Sequence, residues 1–289
     1  MSGSSHLRLY SLVGAMVFFY SLNYTVARFA LREFPPAQLT AVRTAVAAAV
    51  LLAIWHTGPR PRLSRGDLGL LALLGVIGIT LNQLLFAFGV QRTSIAHASI
   101  LSATAPIMVL LIAASIRQER VTLRKLLGML IAIAGVVVLQ REASGHSVAT
   151  FSGDMIILLS AAAIALYSVL GKHVTARCDV VTLNAISFFA AFLSLTPWLW
   201  PPRGFSYGAV STGGWLSLLY MAIFPSVISY LIYCYALTHM PASRVSAFAY
   251  LQPPLATLLA VPLLGEPVTA SLASGGALVL AGVYVTERG

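Results

Sequence analysis

The amino-acid sequence predicts an all-α polytopic membrane protein whose ten transmembrane helices form a 5+5 inverted repeat. Composition is the first observation behind this fold class: 58% of the residues are hydrophobic, 9% are charged, and the mean hydropathy is +0.88. A soluble domain carries about 25% charged residues, so lipid must solvate most of this chain. The second observation is that the apolar residues form long runs without strand-like alternation. The third is that the two halves of the chain share one pattern.

Ten apolar runs follow one another along the chain. A helix needs about 20 mostly apolar residues to cross a bilayer, and short connectors with Pro, Gly or charged residues separate the runs. We expect the first run to be retained as a helix, because further spans follow it and no small-residue cleavage site is seen. The predicted spans are 9–29, 37–55, 68–90, 96–116, 126–139, 154–170, 180–200, 215–237, 245–264 and 270–285.

An internal repeat relates the two halves. Residues 86–142 align with 233–289 at a constant offset of 147 and without a gap. We therefore predict a first five-helix repeat at 1–144 and a second at 145–289. Because five is an odd number, the second copy must cross the membrane in the opposite sense, and two such copies can open a midplane site to either side in turn. The matched pairs include Pro106 with Pro253, Glu119 with Glu266, Gly128 with Gly275, and Gly135 with Gly282.

Basic residues predict the orientation. With the N-terminus inside, the inner segments contain twelve Lys or Arg residues and the outer segments five. This bias favours a multi-pass protein of the cell (inner) membrane with both termini cytoplasmic. The net charge of +10 therefore flanks the membrane, and nucleic acid is not an expected partner. The partners we expect are a small-molecule substrate and the lipid bilayer, for a chain that acts as a monomer, with a homodimer left open.

Three stretches of sequence carry a family resemblance. They are YSLNYTVAR at 20–28, PPAQLTAVRTAVAAAVLL at 35–52, and ATAPIMVLLIAASIRQERVTLRKLLGMLIAIAGVVVL at 103–139 with its second copy LQPPLATLLAVPLLGEPVTASLASGGALVLAGVYV at 251–285. With these motifs the chain resembles the ten-helix EamA-type members of the drug/metabolite transporter (DMT) superfamily. The resemblance implies a central cavity enclosed by helices one to four and six to nine, with helices five and ten peripheral. It implies substrates among amino acids, other metabolites, drugs or nucleotide precursors.

Polar and aromatic side chains in those eight helices are the candidate substrate-binding residues. Polar groups in the hydrocarbon are costly and usually face the interior of a helix bundle. Amide and phenol groups together suit a small zwitterionic or neutral solute with an apolar part, although hydrogen bonding between helices is the alternative for each of them. The candidates are Tyr20, Asn23, Asn82, Gln83, Phe86, Thr104, Tyr167, Tyr230, Tyr250, Gln252 and Arg43.

The distribution of charge separates the possible functions. All eight Asp and Glu residues fall in connectors or at span ends, which disfavours export of cations coupled to protons through an intramembrane carboxylate. Arg43 is the one charge well within a span, near the outer end of helix two. It either extends to the outer interface or anchors a substrate carboxylate or the cavity's polar network. We predict an exporter or exchanger of small metabolites such as amino acids that works by alternating access. A proton-coupled multidrug exporter and a channel-like pore are the alternatives.

Other motifs in the spans indicate structure. No catalytic motif is present, so we expect neither an enzyme nor a cofactor nor a bound metal. Glu119 and Glu266 precede helices five and ten, where a carboxylate can cap free backbone N–H groups. Pro106 and Pro253 predict kinks, which are either static or part of a gate. The glycine pairs of helices five and ten lie seven residues apart and predict close packing within the chain, with a dimer contact as the alternative.

Overall fold

The computed structural model describes residues 3–58, 63–90, 92, 100–140, 150–264 and 270–289, and in these ranges the protein consists of helices joined by short connectors. No strand occurs in these ranges, as the sequence predicts. The α-helices are α1 (Gly3–Glu33), α2 (Pro36–Thr57), α3 (Arg65–Gly75), α4 (Asn82–Val90), α5 (Ala105–Ser115), α6 (Leu123–Gln140), α7 (Phe151–Val174), α8 (Val180–Leu195), α9 (Thr212–Met221), α10 (Ser229–His239), α11 (Ala242–Ala247), α12 (Gln252–Leu264) and α13 (Ala270–Glu287).

Seven described helical stretches are long and apolar enough to cross a membrane. They coincide with predicted spans one, two, three, six, seven, eight and ten. Predicted spans four, five and nine correspond to the shorter helix Ile100–Ser115, to α6, and to the pair α11 and α12. The count of ten spans therefore stays a prediction. The seven stretches are Leu7–Glu33, Pro36–Thr57, Arg65–Gly89, Phe151–Val174, Val180–Leu199, Thr212–His239 and Ala270–Glu287.

The chain forms two compact units, and each unit takes residues from both halves of the sequence. Unit 1 comprises Met1–Leu84 and Leu170–His239, and unit 2 comprises Leu85–Val169 and Met240–Gly289. The five-helix repeats predicted at 1–144 and 145–289 are therefore interleaved, because equivalent helices of the two repeats pack on each other within one unit.

In unit 1, α2 packs against its repeat equivalent α8. The Trp55 Nε1–H near the end of α2 donates to Thr182 Oγ1 at the start of α8 (3.0 Å). At the other end of the pair, Gln38 Nε2 donates to the carbonyl of Trp200 (3.5 Å). The start of each helix thus meets the end of the other, so α2 and α8 are antiparallel. This confirms opposite orientation for the second helices of the two repeats.

In unit 2, the four repeated glycines join α6 to α13. A Cβ atom on Gly282 would lie 2.6 Å from the carbonyl oxygen of Gly128, and a Cβ on Gly135 would lie 2.7 Å from that of Gly275. Only a hydrogen in place of each side chain allows backbones to approach this closely. The pairing order makes these helices antiparallel as well, and it confirms that the glycine faces pack within the chain.

The two predicted proline kinks occur at equivalent places. The helix of unit 2 that begins at Ile100 is interrupted by a turn at 103–104 and resumes at α5, whose second residue is Pro106. A 3-10 turn, Phe248–Leu251, likewise precedes α12, whose second residue is Pro253. Proline fits the first turn of a helix because its missing N–H would be unpaired there.

Glu119 caps a helix, but not the helix that follows it in sequence. Its Oε1 accepts from the backbone N–H of Ser243 (3.0 Å), at the start of α11, and its Oε2 accepts from the Ser243 hydroxyl. Lys125 Nζ lies 2.9 Å from the same Oε2. Burial raises the pKa of Glu119, but the hydrogen bonds from Ser243 and Lys125 outweigh it and hold the pKa below its usual value. Its repeat equivalent, Glu266, lies outside the described residues.

Candidate functional site

A cluster of polar side chains from four helices lies in unit 1 and contains Arg43. Arg43 on α2 is within electrostatic range of Tyr20 on α1 and Tyr230 on α10. The side chain of Gln83, on α4, hydrogen-bonds to Tyr230. Asn23 follows Tyr20 by three residues and so shares its face of α1. We call Tyr20, Asn23, Arg43, Gln83 and Tyr230 the Arg43 cluster.

Several polar atoms in and beside the Arg43 cluster are buried without a hydrogen-bond partner among the described residues. A buried polar atom without a partner costs free energy, and native proteins contain few of them. Several such atoms in one unit therefore indicate a place for a polar ligand or ordered water. The atoms are Asn23 Oδ1, Arg43 Nε, Thr44 Oγ1, Gln83 Oε1 and Ser229 Oγ.

The hydrogen bond between Gln83 and Tyr230 has a symmetry consequence. These residues are 147 positions apart, so they occupy equivalent places in the two repeats. Equivalent residues that bond to each other must lie beside the two-fold axis relating the copies, as self-pairs do in any two-fold interface. In an inverted repeat this axis lies in the membrane plane, and substrate sites occur near the bilayer midplane. We therefore expect the Arg43 cluster at the midplane.

The surroundings of Arg43 bear on the two alternatives for its side chain. The spacing from Pro36 predicted a place near the outer end of helix two, with extension to the interface as one alternative. The Arg43 Nε is buried, and the guanidinium is within electrostatic range of Tyr20 and Tyr230, which favours a role in the polar network over extension to the interface. The place of Arg43 along α2, seven residues after Pro36, is as the sequence predicts, and its position near the outer end of the span stays a prediction.

A π-helical segment precedes the cluster in both repeats. Val76–Leu81 leads into α4 and Gln83, and Ala222–Ile228 leads into α10 and Tyr230. The two segments occupy equivalent positions at the offset of 147. π-helical turns are rare and frequently lie at functional sites. The sequence carries little signal for them: Pro225 lies within the second segment, and no comparable residue marks the first.

Neighbouring side chains fix Tyr230 and add apolar surface to unit 1. The ring of Phe188 meets that of Tyr230 edge to face, with centroids 5.0 Å apart at 87°, a favourable aromatic geometry. Phe19 on α1 lies 5.0 Å from Phe224, which stacks on Tyr220. The Tyr220 hydroxyl donates to the carbonyl of Phe19 (3.1 Å), so α1 and the second π-helical segment are tied together next to Tyr20.

The described Asp and Glu residues all lie away from the middle of the spans. Each sits in a connector, at a helix cap, or in the first or last turn of a helix, so none faces Arg43 from the interior of a span. The described acidic residues are Glu33, Asp67, Glu119, Asp154, Asp179 and Glu287.

The remaining candidates are Asn82 in unit 1 and five residues of unit 2. Asn82 adjoins Gln83 at the start of α4 and has interactions of its own. Phe86, Thr104, Tyr167, Tyr250 and Gln252 belong to unit 2. The Thr104 hydroxyl donates to the carbonyl of Leu101 (2.6 Å), so its own helix satisfies it.

In unit 2, Tyr167 and Tyr250 are buried, and the Tyr250 hydroxyl has no partner among the described residues. Phe86 is 40% exposed, and Gln252 is half-buried at the start of α12. Thr44 was not among the candidates, because a threonine among alanines of an apolar span is usually bonded to its own helix.

The family profile of the "EamA-like transporter family" matches this chain twice, at residues 8–141 and 151–288. The protein belongs to the EamA-like transporter family. Membership confirms the resemblance to the DMT superfamily and the two-repeat, all-helical fold. It makes the chain a multi-pass membrane transporter.

Named relatives agree with this assignment. An "Uncharacterized transporter" of Archaeoglobus fulgidus is 30% identical over 94% of this chain and 96% of its own length. A "Probable terminal-alkyne amino-acid exporter" of Streptantibioticus cattleyicolor is 31% identical over 83% of this chain and 80% of its own. A solved structure described as "Crystal structure of protein" shares the fold, with a TM-score of 0.80, 22% identity, and coverage of 98% of this chain and 96% of that chain.

Proposed function

We propose that this EamA-family protein exports or exchanges small zwitterionic metabolites of the amino-acid class, and that the Arg43 cluster binds them. The observation that carries the proposal is a half-buried arginine whose buried Nε has no partner among the described residues, in spans whose interior holds no described acid. A guanidinium binds a carboxylate through two parallel hydrogen bonds. An amino acid would supply the carboxylate that the protein itself does not place there.

The other unpartnered atoms fit the second charge of a zwitterion. Asn23 Oδ1 and Gln83 Oε1 are buried hydrogen-bond acceptors without donors among the described residues. An ammonium group has three donors and no acceptor, so it matches amide oxygens and phenolic oxygens. The ring of Phe188 contacts Tyr230 of the cluster and offers apolar surface to a substrate side chain. The relative from Streptantibioticus cattleyicolor is named a probable terminal-alkyne amino-acid exporter, and this name supports the same class of substrate.

Alternating access is the mechanism we propose. The Arg43 cluster draws Tyr20, Arg43 and Gln83 from the first repeat and Tyr230 from the second, and it lies beside their two-fold axis. A site on that axis can face either compartment when the two repeats exchange conformations. The basic bias of the connectors supports an orientation with both termini cytoplasmic in the cell (inner) membrane.

The two alternative functions, a proton-coupled exporter of cations and a channel, predict different experimental results. A proton-coupled exporter of cations needs a site that attracts positive charge, whereas Arg43 repels it. A channel would conduct without saturation, whereas a carrier saturates and is stimulated by substrate on the opposite side.

Thermal stabilisation of the purified protein tests the proposal. L-leucine should raise the melting temperature, while isoamylamine, which lacks the carboxylate, and isocaproate, which lacks the ammonium, should have smaller effects. Arg43→Gln should weaken L-leucine binding at least tenfold, because a hydrogen bond to a charged group is worth about 1.5–3 kcal/mol. The matched control is Arg203→Gln in an exposed connector, which should bind as the wild type does. Stabilisation by the amine alone would refute the proposal and favour a cation exporter. Should L-leucine prove inactive, the same three-way comparison applies to other amino acids.

A further inference from the structure

We infer that the carrier is an obligatory exchanger, in which Arg43 prevents the empty site from changing sides and a carboxylate ligand permits it. This inference rests on the proposed function and adds the coupling mode. It follows from which charges are present at the cluster and which are absent.

The charge of Arg43 cannot be removed by proton transfer. A guanidinium keeps its proton in proteins, unlike the carboxylate or imidazole of a proton-coupled carrier. The titratable groups around it are Tyr20 and Tyr230, with Tyr233 and Cys234 within electrostatic range of Tyr20. Phenols and thiols ordinarily ionise above pH 8, so none of these groups supplies a negative charge at neutral pH.

Changing sides requires the cluster to pass through a state closed to water on both sides. With an empty site, that state holds an isolated guanidinium, and burial of an unpaired ion is strongly unfavourable. With a carboxylate bound, the same state holds an ion pair whose hydrogen bonds are satisfied. The loaded carrier therefore changes sides faster than the empty one.

Three kinetic properties follow. Efflux of an amino acid should depend on an amino acid on the opposite side, because the empty carrier returns slowly. A pH gradient should not replace that requirement, because none of the described titratable groups around Arg43 takes up or releases a proton near neutral pH. One zwitterion exchanged for another moves no net charge, so exchange should not respond to membrane potential.

Flux through proteoliposomes tests the inference. Vesicles containing the full chain are loaded with a ¹⁴C-labelled mixture of L-amino acids and diluted into buffer with or without the unlabelled mixture, with the potential clamped at zero. For the wild type we expect efflux to be at least tenfold faster when the unlabelled mixture is outside. Arg43→Gln should bring this ratio close to one, since its empty site carries no charge. Arg43→Lys, which keeps the charge, should retain a ratio well above one.

The outcomes separate this inference from the proposed function. Equal wild-type efflux with and without external amino acids would overturn obligatory exchange while leaving amino-acid transport in place. A pH gradient that replaces the external mixture would overturn it as well. Absence of protein-dependent flux in either buffer would overturn both the inference and the proposed function. The wild-type ratio decides the question even if a variant fails to fold, which size-exclusion chromatography would reveal.

Discussion

The contact between α6 and α13 provides the sharpest stability test, through Gly282→Ala. The new Cβ would lie 2.4 Å from the backbone nitrogen of Ala132 and 2.6 Å from the carbonyl oxygen of Gly128. Backbone atoms cannot rotate away as a side chain would, so the helices must separate by about 1 Å to reach ordinary contact, and atoms across such a gap lose roughly a quarter to a half of their dispersion energy. Overpacking of this kind costs about 1–3 kcal/mol.

Gly276→Ala in the same helix is the matched control. The nearest atom to its new Cβ would be Pro254 Cβ at 3.8 Å, which is ordinary van der Waals contact. This variant should gain stability, because alanine is favoured over glycine in a helix by about 1 kcal/mol. The two variants should therefore differ by about 2–4 kcal/mol, or roughly 5–10 °C in melting temperature.

Fluorescence-detected size-exclusion chromatography after heating, in one detergent, measures this difference. The order expected is Gly276→Ala above wild type and wild type above Gly282→Ala. Equal melting temperatures for the two variants would show that α6 and α13 do not pack as closely as the structure indicates. That result would also contradict the antiparallel packing of these two helices.

Three further substitutions test other contacts. Glu119→Gln should destabilise the protein by about 3 kcal/mol, because it leaves Lys125 buried without its anion. The pKa of Glu119 in the folded chain lies below its usual 4.5, so this stabilisation is fully present above pH 4.5 and declines as the pH falls toward the folded pKa. The difference in melting temperature between the wild type and Glu119→Gln should therefore shrink as the pH is lowered below 4.5, and a difference that grows would contradict the assignment. Thr182→Val should cost about 1–3 kcal/mol, because it removes the acceptor of the Trp55 indole N–H and the hydroxyl that donates to Asp179; a Trp55→Phe background should remove only the first part of that cost in a double-mutant cycle. Tyr230→Phe should weaken L-leucine binding in the thermal assay while leaving the melting temperature of the unliganded protein within a few degrees, and unchanged binding would remove Tyr230 from the site.

The repeat pattern predicted much of the fold. A constant offset of 147 and an odd number of spans predicted antiparallel equivalents, and the contacts of Trp55 with Thr182 and of Gly128 with Gly282 confirm that orientation. The same offset could also have predicted that Gln83 faces Tyr230, because positions beside the axis meet their own equivalents. The interleaving of the repeats in two units was not predicted, since it depends on which faces pack rather than on the spans themselves.

Local backbone geometry escaped prediction for a physical reason. A π-helical segment differs from an α-helix by one residue per turn, and the apolar residues of Val76–Leu81 suit either form. The sequence could not decide between the two alternatives for Arg43, because the distance from Pro36 measures position along α2 only. How far a side chain lies from water depends on the helices beside it, and those contacts are set by tertiary packing.

The meeting of Gln83 with Tyr230 also constrains how such a protein could arise. While two identical five-helix chains assembled around a two-fold axis, the residue at this place met a copy of itself, so any substitution changed both sides of the contact together. Only after both repeats were encoded in one chain could an amide, Gln83, face a phenol, Tyr230. The same freedom allowed an arginine on α2 alone, and a binding pocket with distinct ends for the opposite charges of one small molecule became possible.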